Sequence, residues 1–393
     1  HRTVQRLDEA TFDLEVVVPL KQTAYSNMPV ARRHRAHGKQ VIRFATTPKM
    51  SSYLLHLTVG DLERISRKAA GVEIGIVTRK GAAEQGRVAL DAAVEILPWY
   101  NDYFGTSYPL PKLDMIAVPG TSQFFGAMEN WGAIMYFEQA LLMDPQISSE
   151  SDRLNIYDAV AHEMAHQWFG NLVTMEWWDD LWLNEGYATW MAEKAASTLR
   201  SQWNVPLLTV KWPREFALQS DASDATHPIV QRVASVDAAS QAFDAIAYNK
   251  GSAVIRMLEA SLGETGFRDG IRRYVRRYAY DNAVTDQLWS ELASATNRPV
   301  IDIARDFTLQ PGVPLVKAVA GPCEAGRTRV TLTQGRFETG TPSPVALTWR
   351  IPVTLQAIDS RATTSALLGK DGAPVSVEVG GCGPVVVNAG QTG

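Results

Sequence analysis

The spacing of hydrophobic and polar positions divides the chain into three regions. Up to about residue 80, apolar and polar positions alternate as in strands with one buried face, for example at Phe12, Leu14, Val16 and Val18. Residues 81–312 mainly show helical spacing, and alternation returns from residue 313, for example at Trp349, Ile351, Val353 and Leu355. The pattern predicts a multidomain α+β protein, with a β-sheet N-terminal domain over 1–80, a mainly helical domain over 81–312 and a small C-terminal β-sandwich over 313–393.

Two helices are predicted in succession within the central region. The first covers 152–169 and has apolar residues at three- and four-residue steps, namely Ile156, Tyr157, Val160, Ala161 and Met164. Serines and Asp152 supply capping groups at its start, and Gly170 is a stop signal. The second helix runs from about Leu181 to Leu199. Antiparallel pairing of the two would bring their polar residues together.

The first helix contains the motif His162-Glu163-Met164-Ala165-His166. Histidines four residues apart share one helix face, so both can bind one Zn²⁺. Glu163 can reach a water beside that metal without being a ligand. Glu185 follows in the second helix after eighteen residues, and two histidines with one glutamate leave a fourth position for water, as in catalytic zinc sites. The alternative is a buried histidine pair hydrogen-bonded within the core.

A second motif is the segment Gly126-Ala127-Met128-Glu129-Asn130, which lies between two apolar runs. The runs, Met115–Val118 and Ala133–Phe137, are predicted strands, so Glu129 is expected on an edge strand or its turn. Taken alone, it would more often be an ordinary surface glutamate than a binding residue.

The two motifs together, with their order and spacing, resemble the M1 (gluzincin) family of zinc aminopeptidases, and in particular aminopeptidase N. The flanking sequences agree with this resemblance: Trp131-Gly132 follows the first motif, Gln167-Trp168-Phe169-Gly170-Asn171 follows the second, and Trp182-Leu183-Asn184 precedes Glu185. The resemblance covers nearly the whole chain. It implies a thermolysin-like catalytic domain over 81–312 and an N-terminal β domain that is incomplete here, so the chain is expected to be a fragment.

The resemblance also implies roles for individual residues. His162, His166 and Glu185 would bind one Zn²⁺ per chain, which polarises the scissile carbonyl and acidifies a water. Glu163 would be the general base, and Glu129 would bind the free α-ammonium of a peptide substrate. The substrate-binding set would be Phe125, Gly126, Ala127, Met128, Glu129 and Asn130.

Tyr248 is the remaining catalytic candidate, and it is assigned by resemblance alone. It lies in Tyr248-Asn249-Lys250-Gly251, ahead of an apolar helix. In the family this hydroxyl donates to the oxyanion, and loss of such a donor typically costs about 10²–10³ in rate. His227 is a further candidate that we interpret as structural.

Composition limits the partners and leaves the compartment open. A net charge of −4 over 393 residues gives no basic footprint for nucleic acid. No apolar run reaches eighteen residues, so no transmembrane helix is predicted. The two cysteines, Cys323 and Cys382, could form one disulfide in a periplasmic or secreted enzyme, or stay as thiols in a cytoplasmic one. The oligomeric state and side-chain preference stay open.

The predicted function is zinc-dependent removal of the N-terminal residue from peptides. One alternative is a leukotriene A4 hydrolase-like epoxide hydrolase, which Ala127 disfavours because that branch has glycine there. The other is a non-catalytic scaffold on the same fold. The scaffold is disfavoured because all six chemical positions are intact, namely Glu129, His162, Glu163, His166, Glu185 and Tyr248.

Overall fold

A computed structural model describes residues 9–122, 125–144, 146–209, 213–341 and 345–391. The chain forms two compact units. The first contains residues 1–177, 183–206 and 271–284, and the second contains residues 178–182, 207–270 and 285–393. The predicted three-domain boundaries stay a prediction.

The first unit begins with short antiparallel strands, as the alternating pattern predicts. Strand β2 pairs with β5, and β5 pairs with β4, while β1 pairs with β6 and β3 with β7. Val18, Ile42 and Phe44 are buried between these strands, and Leu14 and Val16 pack against them. The strands are β1 (Glu9–Ala10), β2 (Glu15–Pro19), β3 (Thr23–Ser26), β4 (Val30–Ala36), β5 (Lys39–Phe44), β6 (Met50–Ser51) and β7 (Leu57–Gly60).

A five-stranded mixed sheet follows and supports the site. Its strands are β8 (Leu62–Ala69), β9 (Val72–Arg79), β10 (Lys112–Val118), β11 (Ala127–Met128) and β12 (Ala133–Phe137). Their order is β11-β12-β10-β9-β8, and the pairs β9–β10 and β10–β12 are parallel. Helix α1 (Arg87–Phe104) connects β9 to β10, because parallel neighbours need a crossover. The predicted strands on both sides of Glu129 are confirmed, and β11 lies at the sheet edge.

The two predicted helices are present with slightly different ends. They are α3 (Glu150–Ala165) and α4 (Trp182–Leu199), and the short α2 (Glu138–Leu141) precedes them. The Ser149 side chain accepts from the backbone of Asp152 and the Asp152 side chain accepts from the backbone of Ser149, which is a capping box. The predicted extension of α3 to residue 169 is wrong, because the chain turns after His166 and pairs again through β13 (Val173–Met175) with β14 (Asp281–Ala283).

The later part of the chain is helical and then β. The helices are α5 (Val205–Thr209), α6 (Glu215–Asp221), α7 (Val236–Gln241), α8 (Gly251–Leu262), α9 (Glu264–Tyr278), α10 (Thr285–Thr296) and α11 (Val300–Thr308). The strands are β15 (Val313–Glu324), β16 (Arg327–Phe337), β17 (Ile351–Ala357), β18 (Thr363–Leu368), β19 (Val375–Gly380) and β20 (Val385–Val387). They form two three-stranded sheets, β15-β16-β19 and β18-β17-β20. Cys323 and Cys382 are joined by a disulfide.

The architecture is therefore mixed α and β, with N-terminal strands and a helical region, as the sequence predicts. Among the described helices, none has the length and apolar composition needed to cross a membrane.

Candidate active site

The first unit brings together the three predicted metal ligands. His162 lies in the last turn of α3, His166 is its C-terminal capping residue, and Glu185 lies in the first turn of α4. The two Nε2 atoms are 3.0 Å apart. Glu185 Oε2 is 3.3 Å from Nε2 of His162 and 3.4 Å from Nε2 of His166. The three donor atoms thus face one common point.

This spacing fits a zinc ion. Zinc bonds of 2.0–2.2 Å in tetrahedral geometry place two ligand atoms about 3.3 Å apart. Nδ1 of His166 donates to the carbonyl oxygen of Phe169 at 3.0 Å, so Nε2 keeps its lone pair for a metal. Gly170 has φ +130°, and a Cβ there would lie 3.4 Å from Nδ1 of His166. Because L side chains rarely adopt this φ, glycine suits the turn that follows His166.

Two further glutamates lie beside these ligands. Ligand atoms of Glu129, Glu163 and His166 all lie within 4.8 Å of one another, as do those of His162, His166 and Glu185. The three glutamates are only 4–7% exposed. Within the described residues, no lysine or arginine forms an ion pair with them, and Oε2 of Glu163 is buried with no hydrogen-bond partner. Three ionised carboxylates here would therefore carry more negative charge than the side chains of the site neutralise.

The crowding of these buried groups shifts the pKa values of the site side chains. Burial raises the pKa of Glu163 well above its usual range and also raises the pKa of Glu129. For Glu185, burial is outweighed by the neighbouring histidines, which lower its pKa to about 2. Burial opposes a proton on His166 as well, but Glu129 and Glu185 raise its pKa to about 10. A divalent cation would be the largest charge here and would displace that proton.

The backbone of the segment around Glu129 is fixed to the turn that follows helix α3. The Glu129 carbonyl accepts from the side-chain amides of Gln167, at 3.2 Å, and Asn171, at 2.8 Å. Gln167 also donates to the Glu163 carbonyl at 3.1 Å and accepts from Gly132 N–H at 3.3 Å. Sequence reasoning treated Gln167 only as flanking sequence. In the predicted helix over 152–169, its four-residue offset from Glu163 would place both side chains on one face, and this offset was the available signal.

The other predicted substrate-binding residues lie along the same edge. Ala127 and Met128 form β11 and pair with β12 at the sheet edge. The Gly126 carbonyl accepts from Phe137 N–H at 3.0 Å, and Asn130 is buried. Phe125 is 46% exposed and stacks on Phe137 at 5.8 Å between ring centroids. Their binding roles stay predictions.

Tyr53 is a site residue that sequence reasoning missed. Its hydroxyl hydrogen-bonds to the Glu129 carboxylate, and burial followed by the Glu129 charge raises its pKa well above 10. The Asn184 amide approaches the same hydroxyl at 3.5 Å. Tyr53 comes from a short helical turn far from either motif in sequence, so no spacing pattern could identify it.

Tyr248 lies in the second unit, so its predicted role stays a prediction. It occupies a five-residue π-helical turn, Ile246–Lys250, directly before α8. Its N–H donates to the Asp244 carbonyl at 3.1 Å. His227 pairs with Asp244 at 2.6 Å in the same unit.

Comparisons with known proteins show the family of the chain. The family model described as "Peptidase family M1 domain" matches residues 88–307, and "Peptidase M1 N-terminal domain" matches residues 8–54. The chain is 38% identical over 385 residues to "Probable aminopeptidase 2" of Sulfurisphaera tokodaii. The aligned region covers 98% of this chain and 48% of that protein. It is 39% identical over 360 residues to "Leucyl aminopeptidase" of Saccharolobus solfataricus, which covers 91% of this chain and 44% of that protein.

A eukaryotic relative gives the same result. The chain is 39% identical over 395 residues to "Puromycin-sensitive aminopeptidase" of Caenorhabditis elegans, which covers 98% of this chain and 41% of that protein. The chain thus spans less than half the length of these curated relatives. Since the M1 domain model matches more than half of the chain, including the three predicted metal ligands, the chain belongs to peptidase family M1.

Proposed function

We propose that this protein removes the N-terminal residue of peptides, using one zinc ion bound by His162, His166 and Glu185. The observation that carries the proposal is the buried cluster of three carboxylates without a lysine or arginine partner among the described residues. A buried charge is costly unless it is paired. A divalent metal ion and the ammonium group of one substrate would together neutralise three carboxylates.

Zinc, when bound, supplies Lewis acidity for the scissile carbonyl and for an attacking water. The proton transfers would be made by a side chain of the protein. Glu163 has an unpartnered buried oxygen and a raised pKa, which suits a group that takes a proton and returns it near neutral pH. It would accept the proton of the attacking water and deliver it to the departing amine.

Glu129 would determine that cleavage begins at a free N-terminus. Its backbone is held by Gln167 and Asn171, so its carboxylate is presented from a fixed strand edge. A charge-assisted bond to the substrate ammonium would be strong in this buried setting. An acylated N-terminus would leave the carboxylate unpaired, at a cost of about 1–3 kcal/mol.

Four finer assignments belong to the same proposal. The edge formed by Phe125, Gly126, Ala127, Met128 and Asn130 would align the peptide backbone, and the Tyr248 hydroxyl would donate to the oxyanion. Residues 81–312 would have a thermolysin-like arrangement, which the α3–α4 ligand geometry supports. Residues 313–393 would form a β-sandwich, which their two three-stranded sheets support.

The first test is hydrolysis of an aminoacyl-anilide panel beside its N-acetylated twins, with metal content measured on the same intact protein. We expect one zinc per chain, cleavage of only the free-amine set, and loss of cleavage on chelation. Glu185→Gln should lose the metal, whereas Glu193→Gln, a buried glutamate on the same helix, should keep it.

Two results would overturn the proposal. Equal cleavage of the free and acetylated substrates would reject the exopeptidase role of Glu129. A folded, zinc-loaded protein that cleaves neither set would favour the scaffold alternative, which the complete ligand cluster argues against.

A further inference from the structure

A closed ring of polar contacts surrounds the turn that carries Tyr248. Thr226 Oγ1 donates to Oδ1 of Asp221 at 2.6 Å, and Nζ of Lys250 pairs with Oδ2 of Asp221 at 2.8 Å. His227, the residue after Thr226, contacts Asp244 at 2.6 Å. Since Asp244 begins the segment that ends at Lys250, the contacts close on themselves. We call these five residues the Asp244 ring: Asp221, Thr226, His227, Asp244 and Lys250.

Asp244 holds the start of the turn. Its Oδ1 accepts from the N–H groups of Ile246 and Ala247, both at 2.9 Å, and its carbonyl accepts from Tyr248 N–H at 3.1 Å. These are N–H groups that a helix start cannot satisfy internally. Asp244 therefore fixes the backbone up to Tyr248 itself.

Lys250 holds the end of the turn. It is 8% exposed, and besides Asp221 its ammonium approaches the carbonyls of Gln310 at 3.5 Å and Gly312 at 3.4 Å. Oδ1 of Asp221 also accepts from Gly312 N–H at 2.8 Å. The turn is thus fixed on both sides of Tyr248, by the partly exposed Asp244–His227 pair before it and by the buried Lys250–Asp221 pair after it. A π-helical turn is rare and often occurs at functional sites.

His227 connects Asp244 to the segment that contacts Asp221, and its side chain is a cation. Nε2 faces Asp244 Oδ2 at 2.6 Å, and Nδ1 faces the Pro228 carbonyl at 2.8 Å. Because both acceptors lack a proton to give, both ring nitrogens must donate, which defines the imidazolium form. The hydrogen bond to Asp244 raises the pKa of His227, while burial and Lys250 oppose it.

We propose that the Asp244 ring positions the Tyr248 hydroxyl, so that His227 and Asp244 act on the reaction through Tyr248. This inference rests on the oxyanion role proposed for Tyr248. Substrate binding at Glu129 and metal binding do not involve the ring residues, so the ring affects kcat and leaves KM and zinc content unchanged.

The test is a double-mutant cycle between Asp244→Ala and Tyr248→Phe in the intact, zinc-loaded protein. Tyr248→Phe is expected to lower kcat by about 10²–10³. Asp244→Ala is expected to lower kcat by about 10-fold or more through misplacement of the hydroxyl. The double variant should be within about twofold of Tyr248→Phe, because residues that act as a unit are not additive. Asp286→Ala, which removes an exposed ion pair with Arg305 in the same unit, is the matched control and should leave kcat unchanged.

His227→Ala repeats the cycle at a partly exposed position, in case Asp244→Ala does not fold. The pH profile gives an independent readout. His227 faces one carboxylate, Asp244, and is opposed by one ammonium, Lys250. Its folded pKa is raised above 6.5, so the ion pair is complete below that value and is lost as the pH rises through the raised pKa. The alkaline fall of kcat in the wild type should therefore be missing in His227→Ala.

Four outcomes would overturn the inference. Additive losses in the cycle would show that the ring acts independently of Tyr248. A loss confined to KM, or an unaltered alkaline limb in His227→Ala, would also reject it. Full activity of Tyr248→Phe would reject both the inference and the Tyr248 role, yet it would leave the metal and Glu129 proposals standing.

Discussion

The first unit contains two buried clusters of charged side chains, and they are built in opposite ways. In one cluster, Asp114 is shared by Arg64 at 2.8 Å and Lys112 at 2.9 Å. Lys112 also donates to the Gly132 carbonyl at 2.6 Å. Each buried charge has a partner, so the cluster needs nothing from outside. We refer to these three residues as the Asp114 network.

The site cluster of Glu129, Glu163 and Glu185 lacks such partners. Histidines are its only potential cations among the described residues, and one Glu163 oxygen lacks any hydrogen bond. In the same protein, the buried carboxylate that supports the sheet is paired with lysine and arginine, whereas the buried carboxylates at the candidate site are not. Unsatisfied buried charge costs stability, and it persists where a ligand compensates it.

The largest predicted effect tests the uncompensated side of this comparison. Glu163→Gln should lower kcat by about 10²–10⁴, the usual contribution of a general base. It should also raise the unfolding temperature of the metal-free protein, because a neutral amide replaces a carboxylate that burial disfavours. Steady-state kinetics and thermal unfolding measure the two effects. Glu138→Gln, which removes an ion pair with the largely exposed Arg79, should change neither. A lower unfolding temperature of metal-free Glu163→Gln than of the metal-free wild type would contradict the comparison.

The next effect tests the compensated cluster. Asp114→Asn should destabilise the fold by about 3–5 kcal/mol, because it leaves buried Lys112 without its partner. Asp91→Asn breaks an exposed pair with Arg67 and should cost less than about 1 kcal/mol. Urea unfolding midpoints compare the two variants. Equal midpoints would mean that the Asp114 network is not a structural support.

A smaller effect separates binding from chemistry at the site. Glu129→Gln should raise KM for free-amine substrates by about 10–100-fold, since a hydrogen bond to a charged group contributes about 1.5–3 kcal/mol. Zinc content should be unchanged because Glu129 is not a proposed ligand. A change in kcat alone would assign Glu129 to a different step.

The smallest effect concerns Tyr53. Tyr53→Phe removes the hydroxyl that hydrogen-bonds to Glu129, and should raise KM about three- to tenfold, as expected for one hydrogen bond of about 1 kcal/mol. Tyr108→Phe removes another buried hydroxyl, which donates to the Lys112 carbonyl at 3.0 Å. It serves as the matched control and should cost stability without changing KM. Identical KM values in both variants would exclude a site role for Tyr53.

Local patterns predicted the elements of the site well. The capping residues before α3, the strands flanking Glu129 and the edge position of β11 are all present. The end of α3 was misplaced by four residues, because apolar Trp168 and Phe169 continue the helical spacing although the backbone has already turned. Both are buried in tertiary contacts, which periodicity alone does not distinguish from helical packing.

Contacts between distant segments could not be predicted in this way. The Asp114 network, the Tyr53 hydrogen bond and the His227–Asp244 pair each join residues with no fixed sequence offset. The same holds for the disulfide, whose cysteines are 59 residues apart. Two cysteines allow a bond without requiring it, and only their Cα–Cα separation of 5.3 Å makes it geometrically suitable.

The sequence by itself determined that His162 and His166 share one helix face, because the helical period brings residues four apart together. It also determined that a glutamate follows on the next helix. Only the tertiary structure decided which carboxylates are buried beside these histidines. It also decided that no lysine or arginine among the described residues pairs with them. The cost of a buried charge depends on its neighbours in space, and those neighbours come from separate segments of the chain.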